Sequence, residues 1–469
     1  MNRAGYLLKN MSLFTVSNMA SKLIVFLLVP FYTNVLTEGE YGIADVMQAS
    51  LLLLVPLLSI NAGEAALRFG IEEEYKRGAI FKSGMKHVLT SVFAVVLVCA
   101  GLSCTVFSGE IRTYFLFFAL LYACNAFYEF MLLYTQGCEK VQIMVTGSVF
   151  CTAVTVISNL ILLLVVRIGL YGYILSQVVA YFLAGILMLC LLGAGSLLRS
   201  DEDMLLKREM TKYGRGMLLY STASWANNAI DRYFILFMQG TEQNGLYGAA
   251  YKIPAILTVF QRIFAQSFQM SATKNYKEED SGAFFGSLYE LYNGVMLTGC
   301  AFLLLILKPL SAFMFRKGFI EAWIMVPPLL ISVIFGALEG YLGSICLAHK
   351  DGKSMGIATG VGALVNIIFN YLGIMVFGTI GAAYATLISY FTMFVIAYGM
   401  VSKHVRLEVN IKRDALGYFL IFCAGFITMY GGDIAYFADM LIMVFIMILY
   451  RDRIIFIKEK LGIGRDKEV

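Results

Sequence analysis

Apolar runs long enough to cross a bilayer core of about 30 Å recur at residues 13–36, 43–63, 84–107, 113–135, 142–166 and 169–193. Beyond a charged connector from Ser196 to Lys212 they resume at 214–238, 245–270, 287–308, 322–347, 355–377 and 379–401. Two shorter runs, 415–430 and 434–450, are separated only by Gly431, Gly432 and Asp433, which fits either two short spans or one re-entrant hairpin. The pattern predicts an all-α integral membrane protein of about fourteen transmembrane helices. Its expected parts are an N-terminal six-helix lobe (1–195), a cytoplasmic connector (196–213), a C-terminal six-helix lobe (214–401), and a final helix pair with a basic tail (402–469).

One run departs from the pattern. Tyr213 to Gln239 is apolar enough to span, yet its centre carries Ser221, Ser224, Asn227, Asn228, Asp231 and Arg232. At about 100° per residue these six fall within an arc of roughly 140°, with Leu218, Leu219, Ile230, Phe234 and Phe237 mostly outside it. Asp and Arg near a bilayer centre cost roughly 2.5–3.5 kcal/mol each, so such residues face a bundle interior or an aqueous cavity. This helix is the first candidate for a transport pathway.

Composition fits a membrane protein. The 469 residues are 59% hydrophobic and 14% charged, and the mean hydropathy of +0.77 lies far from that of soluble domains. The net charge of +5 is modest, so the placement of the 36 Lys and Arg matters more than their sum. With the N-terminus inside, 27 fall in cytoplasmic segments, 5 in outer loops and 4 within helices, the sorting expected of a multi-pass protein. Both termini are then cytoplasmic, and the rule is satisfied equally by twelve or fourteen helices. Arg3 and Lys9 precede a first apolar run that is too long for a signal peptide and lacks a small-residue cleavage site, so it reads as a retained helix.

The nine cysteines form no CxxC pair and sit mostly in apolar runs, as small core residues do. His87, His349 and His404 lie far apart in sequence near the ends of runs, which argues against a histidine metal site. Neither a metal nor an organic cofactor is expected.

The two halves repeat. An offset of 203 lays Asn18 and Ser21 on Ser221 and Ser224, and Gly42-Ile43-Ala44 on Gly245-Leu246-Tyr247. An offset of 209 lays Gly169-Leu170-Tyr171-Gly172 on Gly378-Thr379-Ile380-Gly381, and Tyr181-Phe182 on Tyr390-Phe391. Equal helix number and order make these parallel repeats about an axis along the membrane normal, and a cavity between two such halves is what a transporter needs.

Four stretches carry a resemblance: SLFTVSNMASKLIVFLLVPFYTNVLTEGEYG at the start, GLYGYILSQVVAYF in the sixth run, SWANNAIDRYFI with NGLYGAAYKIP, and FAQSFQMSATKNY. They resemble the bacterial polysaccharide and O-antigen flippases of the multidrug, oligosaccharidyl-lipid and polysaccharide exporter superfamily. The likeness extends to about residue 401 and is most specific in the seventh and eighth runs. It implies two six-helix lobes forming a V, a final helix pair beside the first bundle, and alternating access for a lipid-linked sugar. No motif specifies the sugar.

Further charged groups lie inside apolar runs. Taken as one helix, the eighth run places Arg262, Gln266 and Gln269 at about −80°, −40° and −100° from Lys252, a polar stripe. In the first run Asn18 and Lys22 are i,i+4 neighbours with Ser21 beside them. Lys22, Arg232, Lys252 and Arg262 must share a wet interior, snorkel or pair. Glu64 and Arg68 read as a local surface pair, and Glu38 with Glu40 as a solvated turn. Asp231, Glu339, Glu290 and Glu129 are the candidates for coupling to a proton or sodium gradient.

A cationic, water-filled centre suits a polyprenyl diphosphate carrying an oligosaccharide, whose head and sugar enter the cavity while its tail stays in the bilayer. Charge-assisted bonds from Lys and Arg would hold the phosphates, with Asn18, Lys22, Asn228, Asp231, Arg232, Lys252, Arg262 and Gln266 as the expected cavity residues. An inside-negative potential favours outward movement of an anion by about 2.3 kcal/mol per charge per 100 mV, and no GxxxxGK[ST] loop points to ATP. The expected function is a secondary flippase of the bacterial cytoplasmic membrane that serves capsule, O-antigen or another surface polysaccharide. Its expected partners are the lipid-linked oligosaccharide and membrane lipids, with a polysaccharide polymerase and chain-length machinery as further candidates and no nucleic acid. Two alternatives stay open: a cation-coupled drug or metabolite antiporter of the same superfamily, and a membrane polysaccharide polymerase or glycosyltransferase. The enzyme would need a large outer loop or paired catalytic carboxylates, whereas the longest outer loop runs only from about Lys308 to Glu321.

Overall fold

The structure, a computed structural model, describes residues 26–72, 74–105, 109–201, 203–275, 281–349 and 351–452. Among them all regular structure is helical. Nine helices are long and apolar enough to cross a membrane among the described residues, and Ile434–Leu449 is apolar but shorter. The other expected spans miss that standard for local reasons. The first lies largely outside the described residues. The polar-centred run belongs to a helix that starts at Met204, inside the expected connector, and so includes Lys207, Arg208, Lys212 and Arg215. The eighth run is broken at Pro254, and the thirteenth opens with Lys412, Arg413 and Asp414.

The chain forms two compact units, Met1–Trp225 and Ala226–Val469. The first holds α1 (Val29–Val35), α2 (Glu38–Leu58), α3 (Ala62–Gly70), α4 (Arg77–Thr105), α5 (Glu110–Gly137), α6 (Val141–Asn159, prolonged by a π-helical turn Leu160–Val165), α7 (Gly169–Leu191) and α8 (Ala194–Leu198). The chain passes to the second unit within α9 (Met204–Gln239).

In the first unit α5 is the buried centre, with Tyr122, Phe130, Met131 and Tyr134 at 2% exposure or less. Its end approaches α3 backbone to backbone: a Cβ on Gly137 would lie 2.7 Å from the Ala66 carbonyl oxygen, so glycine is what permits the contact. At the other end Thr37 caps α2. Its Oγ1 accepts from the Glu40 amide at 3.2 Å, and Glu40 Oε2 accepts from the Thr37 amide at 2.9 Å, a capping box. Glu40 Oε1 also accepts from the Leu170 amide at 3.1 Å, tying α2 to the start of α7. Glu40 is thus a cap and a clasp, where the sequence suggested a solvated turn. Arg68 pairs with Glu72 at 2.6 Å, the opposite direction from the expected Glu64.

The second unit continues with α10 (Thr241–Ala250), α11 (Pro254–Asn275), α12 (Ser281–Leu305), α13 (Leu307–Met314), a 3₁₀ segment (Lys317–Met325), α14 (Val326–Ala348), α15 (Gly352–Phe377), α16 (Thr379–Val401), α17 (Ile411–Tyr430) and α18 (Ile434–Leu449). Helix α14 is the core element, buried along nearly its whole length. Helices α15 and α16 form a hairpin through Gly378, whose φ of +67° suits glycine, and close on each other where Gly373 meets Gly381. The final pair is two separate antiparallel helices: Thr428 Oγ1 donates to Asp439 Oδ2 at 2.9 Å near the turn, and Tyr450 O–H donates to Asp414 Oδ1 at 2.6 Å at the far end.

Candidate functional site

The polar centre of α9 is bonded almost residue by residue. In the first unit Ser221 Oγ donates to Asn61 Oδ1 at 3.1 Å, and Trp225 Nε1 donates to the Ala49 carbonyl at 2.9 Å. In the second unit Asn227 Nδ2 donates to the Thr359 carbonyl at 3.1 Å. Much of the polar face therefore joins helices, the ordinary use of such side chains in membranes. The outward Leu219 and Phe237 are each 82% exposed, as the helical period predicts.

What remains centres on Asp231, only 2% exposed. Its Oδ2 accepts from Tyr247 O–H at 2.5 Å and Tyr251 O–H at 3.3 Å. Its Oδ1 accepts from the Arg232 amide and from Arg232 Nη1, each at 3.0 Å. Arg232 Nη1 also donates to the Asn228 carbonyl at 2.8 Å, and the guanidinium lies over the Tyr251 ring, 4.6 Å from its centroid. Tyr390 O–H donates to Asn228 Oδ1 at 3.1 Å. Tyr390 lies within electrostatic reach of both Glu339 and Asp231, and its ring packs against Gly336, where a Cβ would sit 3.0 Å away.

Four elements thus converge: α9 supplies the charges, α10 and its exit the tyrosines Tyr247 and Tyr251, α16 Tyr390, and α14 Glu339. A buried carboxylate is tolerated when it is paired and fully bonded, and here donors reach both oxygens. A carboxylate so held can exchange a donor for a proton or a small cation, and a guanidinium released from it can meet a phosphate oxygen.

The site unites Asn228, Asp231, Arg232 and Glu339 of the expected residues. Asn18 and Lys22 lie outside the described residues. Lys252 is half-buried in the non-helical link between α10 and α11, next to Tyr251. Pro254 lacks an N–H and cannot continue the helix that precedes it, so the stripe expected from Lys252 to Arg262 loses its register. Arg262 is exposed on α11, the helix that also carries Gln266.

The other acids lie elsewhere. Glu290, 1% exposed, pairs with Arg413 Nη2 at 2.5 Å and accepts from the Asn410 amide at 2.9 Å, binding α12 to α17. Glu129 belongs to the first unit, within electrostatic reach of Tyr181 and Glu64. Glu129 and Tyr181 precede Glu339 and Tyr390 by 210 and 209 positions, so each unit repeats one Glu and Tyr neighbourhood. Tyr247, Tyr251 and Thr386, whose Oγ1 lies 3.4 Å from Tyr247 O–H, were not foreseen as site residues. The i,i+4 spacing of the two tyrosines in NGLYGAAYKIP was the available signal.

His349 and His404 also meet: their rings stack with centroids 5.1 Å apart, and His404 Nε2 lies 2.8 Å from Asp351 Oδ2. Among the described residues no group of three or more His, Cys, Asp or Glu is placed to hold a metal ion.

A family model described as polysaccharide biosynthesis protein matches residues 7–273, more than half of the chain. No curated protein matches. Among solved structures, the lipid II flippase MurJ in an inward closed conformation superposes with a TM-score of 0.70 at 14% identity, over 94% of this chain and 99% of that one. An inward-facing multidrug resistance MATE family transporter of the MOP superfamily gives 0.62 at 11% identity, over 83% and 97%. A MATE in complex with MaL6 gives 0.60 at 13% identity, over 84% and 95%. At these identities the likeness establishes a shared fold.

Proposed function

Since the chain belongs to the polysaccharide biosynthesis protein family, we propose that it is a secondary flippase rather than an enzyme. It carries a polyprenyl-diphosphate-linked oligosaccharide from the cytoplasmic to the outer leaflet by alternating access, for surface polysaccharide synthesis. The observation that supports this best is a cation on each side of the Pro254 break. Arg262 is exposed on α11, in a run that the sequence reads as a span, and Arg232 lies beside the tyrosines that precede the break. An arginine inside a membrane span requires water or a counter-anion, and a diphosphate would supply the second. Asn228, Lys252 and Gln266 are further residues we assign to the cargo path, and Asn18 and Lys22 of the first run remain candidates for it. Fold likeness to a lipid II flippase is consistent with a lipid-linked cargo.

In this reading Asp231 holds Arg232 in the empty state and yields it, still charged, to phosphate; the freed Asp231 carboxylate can then bind a proton from water, with Glu339 across Tyr390 as a second acid able to do the same. Both termini are cytoplasmic, and the membrane potential drives export of the anion. The test is reconstitution: the purified protein in proteoliposomes should speed transbilayer movement of a fluorescent polyprenyl-diphosphate oligosaccharide. Movement no faster than in empty vesicles would remove the proposal.

A cation-coupled drug or metabolite antiporter is the second reading, favoured by the buried acid Asp231 and by the fold shared with MATE transporters. Efflux of a cationic dye by the same proteoliposomes, with no lipid movement, would select it.

A further inference from the structure

A cavity of about 270 Å³ opens on the first unit at the end that charge sorting assigns to the cytoplasm. It is built where four chain ends meet: the start of α4, the turn from α5 to α6, the exit of α7, and the residues after α8. Arg77 and Lys140 are its charged lining, Leu192, Leu197 and Tyr134 its apolar lining, and no acidic side chain lines it among the described residues.

The construction is specific. A Cβ on Gly78 would fall 2.5 Å from Ser200 Oγ, so glycine there lets the chain after α8 close down on the start of α4. Lys82 Nζ donates to the Ser200 carbonyl at 2.9 Å and Tyr134 O–H donates to the Arg77 carbonyl at 3.0 Å, which pins both walls. Leu197 is 7% exposed and anchored in the core. The side chains of Arg77 and Lys140 are exposed, and both line the cavity with the buried Cys138, within electrostatic reach of its thiol. Two cations and an apolar wall thus line one cavity.

An anionic phospholipid presents the matching chemistry: a phosphate diester one step above apolar chains. Basic pockets between helices on the cytoplasmic side of membrane proteins bind such head groups, at about 1 kcal/mol per cation near the surface. We propose that Arg77 and Lys140 bind the phosphate of an anionic glycerophospholipid here, with Leu192 and Leu197 against the first part of its chains. The site is separate from the α9 residues and does not depend on what the protein transports.

The experiment is a thermal-shift titration of the full chain in neutral detergent with phosphatidylglycerol, phosphatidylcholine or inorganic phosphate. Phosphatidylglycerol should stabilise the wild type saturably, phosphatidylcholine should not, and R77Q/K140Q should weaken the phosphatidylglycerol response roughly ten- to thirtyfold. K76Q, which neutralises the exposed neighbour outside the cavity, should respond as wild type does and guards against a general charge effect. G78A, which forces Ser200 away, should weaken the response with both cations intact. Inorganic phosphate matching phosphatidylglycerol, with the same loss in R77Q/K140Q, would reassign the pocket to a free anion and overturn the lipid. An equal response in wild type and R77Q/K140Q, or an equal loss in K76Q, would overturn the site itself.

Discussion

Asp231 and Arg232 are neighbours in sequence and partners in space. Their Cα–Cβ directions diverge by about 100° on a helix, yet the long arginine side chain folds back to reach Oδ1 at 3.0 Å. A helical wheel fixes where a side chain starts, and Arg has enough rotatable bonds to end elsewhere. The same limit hid Tyr247 and Tyr251, whose hydroxyls lie a ring's length from their backbone. Polar placement on α9 was legible because a charge in an apolar run is conspicuous, whereas tyrosines among 28 are not. Hydrogen bonds to a charged group contribute about 1.5–3 kcal/mol. Tyr247→Phe should therefore destabilise the protein by about that amount in detergent thermal unfolding, whereas Leu219→Ala, on the exposed face, should leave stability nearly unchanged.

Among the elements, the links between helices carried more information than the spans themselves. Apolar periodicity located the runs, but the break at Pro254 stayed hidden because hydrophobicity continues across it. Glu290 looked like a coupling acid because its partner Arg413 is remote in sequence; with Asp414, whose Oδ1 lies 3.6 Å from Arg413 Nε, they form a buried charge cluster binding α12 to α17. Arg413→Gln should cost roughly 3–5 kcal/mol, the usual penalty for stranding a buried charge, and should loosen the final helix pair to proteolysis. At the α15 and α16 contact a Cβ on Gly381 would lie 2.0 Å from the Gly373 carbonyl oxygen, whereas one on Gly360 meets nothing within 4 Å. Gly381→Ala should thus destabilise by about 1–3 kcal/mol, with Gly360→Ala neutral or mildly stabilising.

The link between α14 and α15 adds a pH dependence. Asp351 caps α15, accepting from the Ser354 hydroxyl at 2.5 Å and the Ser354 amide at 3.1 Å, and it faces His404 at 2.8 Å. The Ser354 hydroxyl first, then His404 and the Ser354 amide, hold its carboxyl below the usual carboxylate range. A lowered carboxyl stabilises the fold fully above its unfolded value of about 3.9 and loses that contribution as pH falls through the folded value. Melting curves of wild type and Asp351→Asn should therefore differ most at pH 6, and the gap should begin to narrow only as pH falls below about 3.9; a gap that stays constant as pH falls further would refute the cap's ionic character.

For the whole molecule, one kind of chemistry occurs in both units: Glu129 with Tyr181 in one, Glu339 with Tyr390 in the other. The membrane fold was legible because run length and charge sorting are set by the bilayer, a constraint written into composition. The site was legible only in part, because its partners come from four elements whose packing no single periodicity encodes. The central claim is that a lipid-linked anion crosses along cations of α9 and α11. The most direct measurement is flipping of a polyprenyl-diphosphate oligosaccharide in proteoliposomes by wild type, Arg232→Ala and Arg262→Ala, each first shown to be folded by its melting profile. The account predicts that both variants lose most of the wild-type rate; undiminished flipping by both would contradict it.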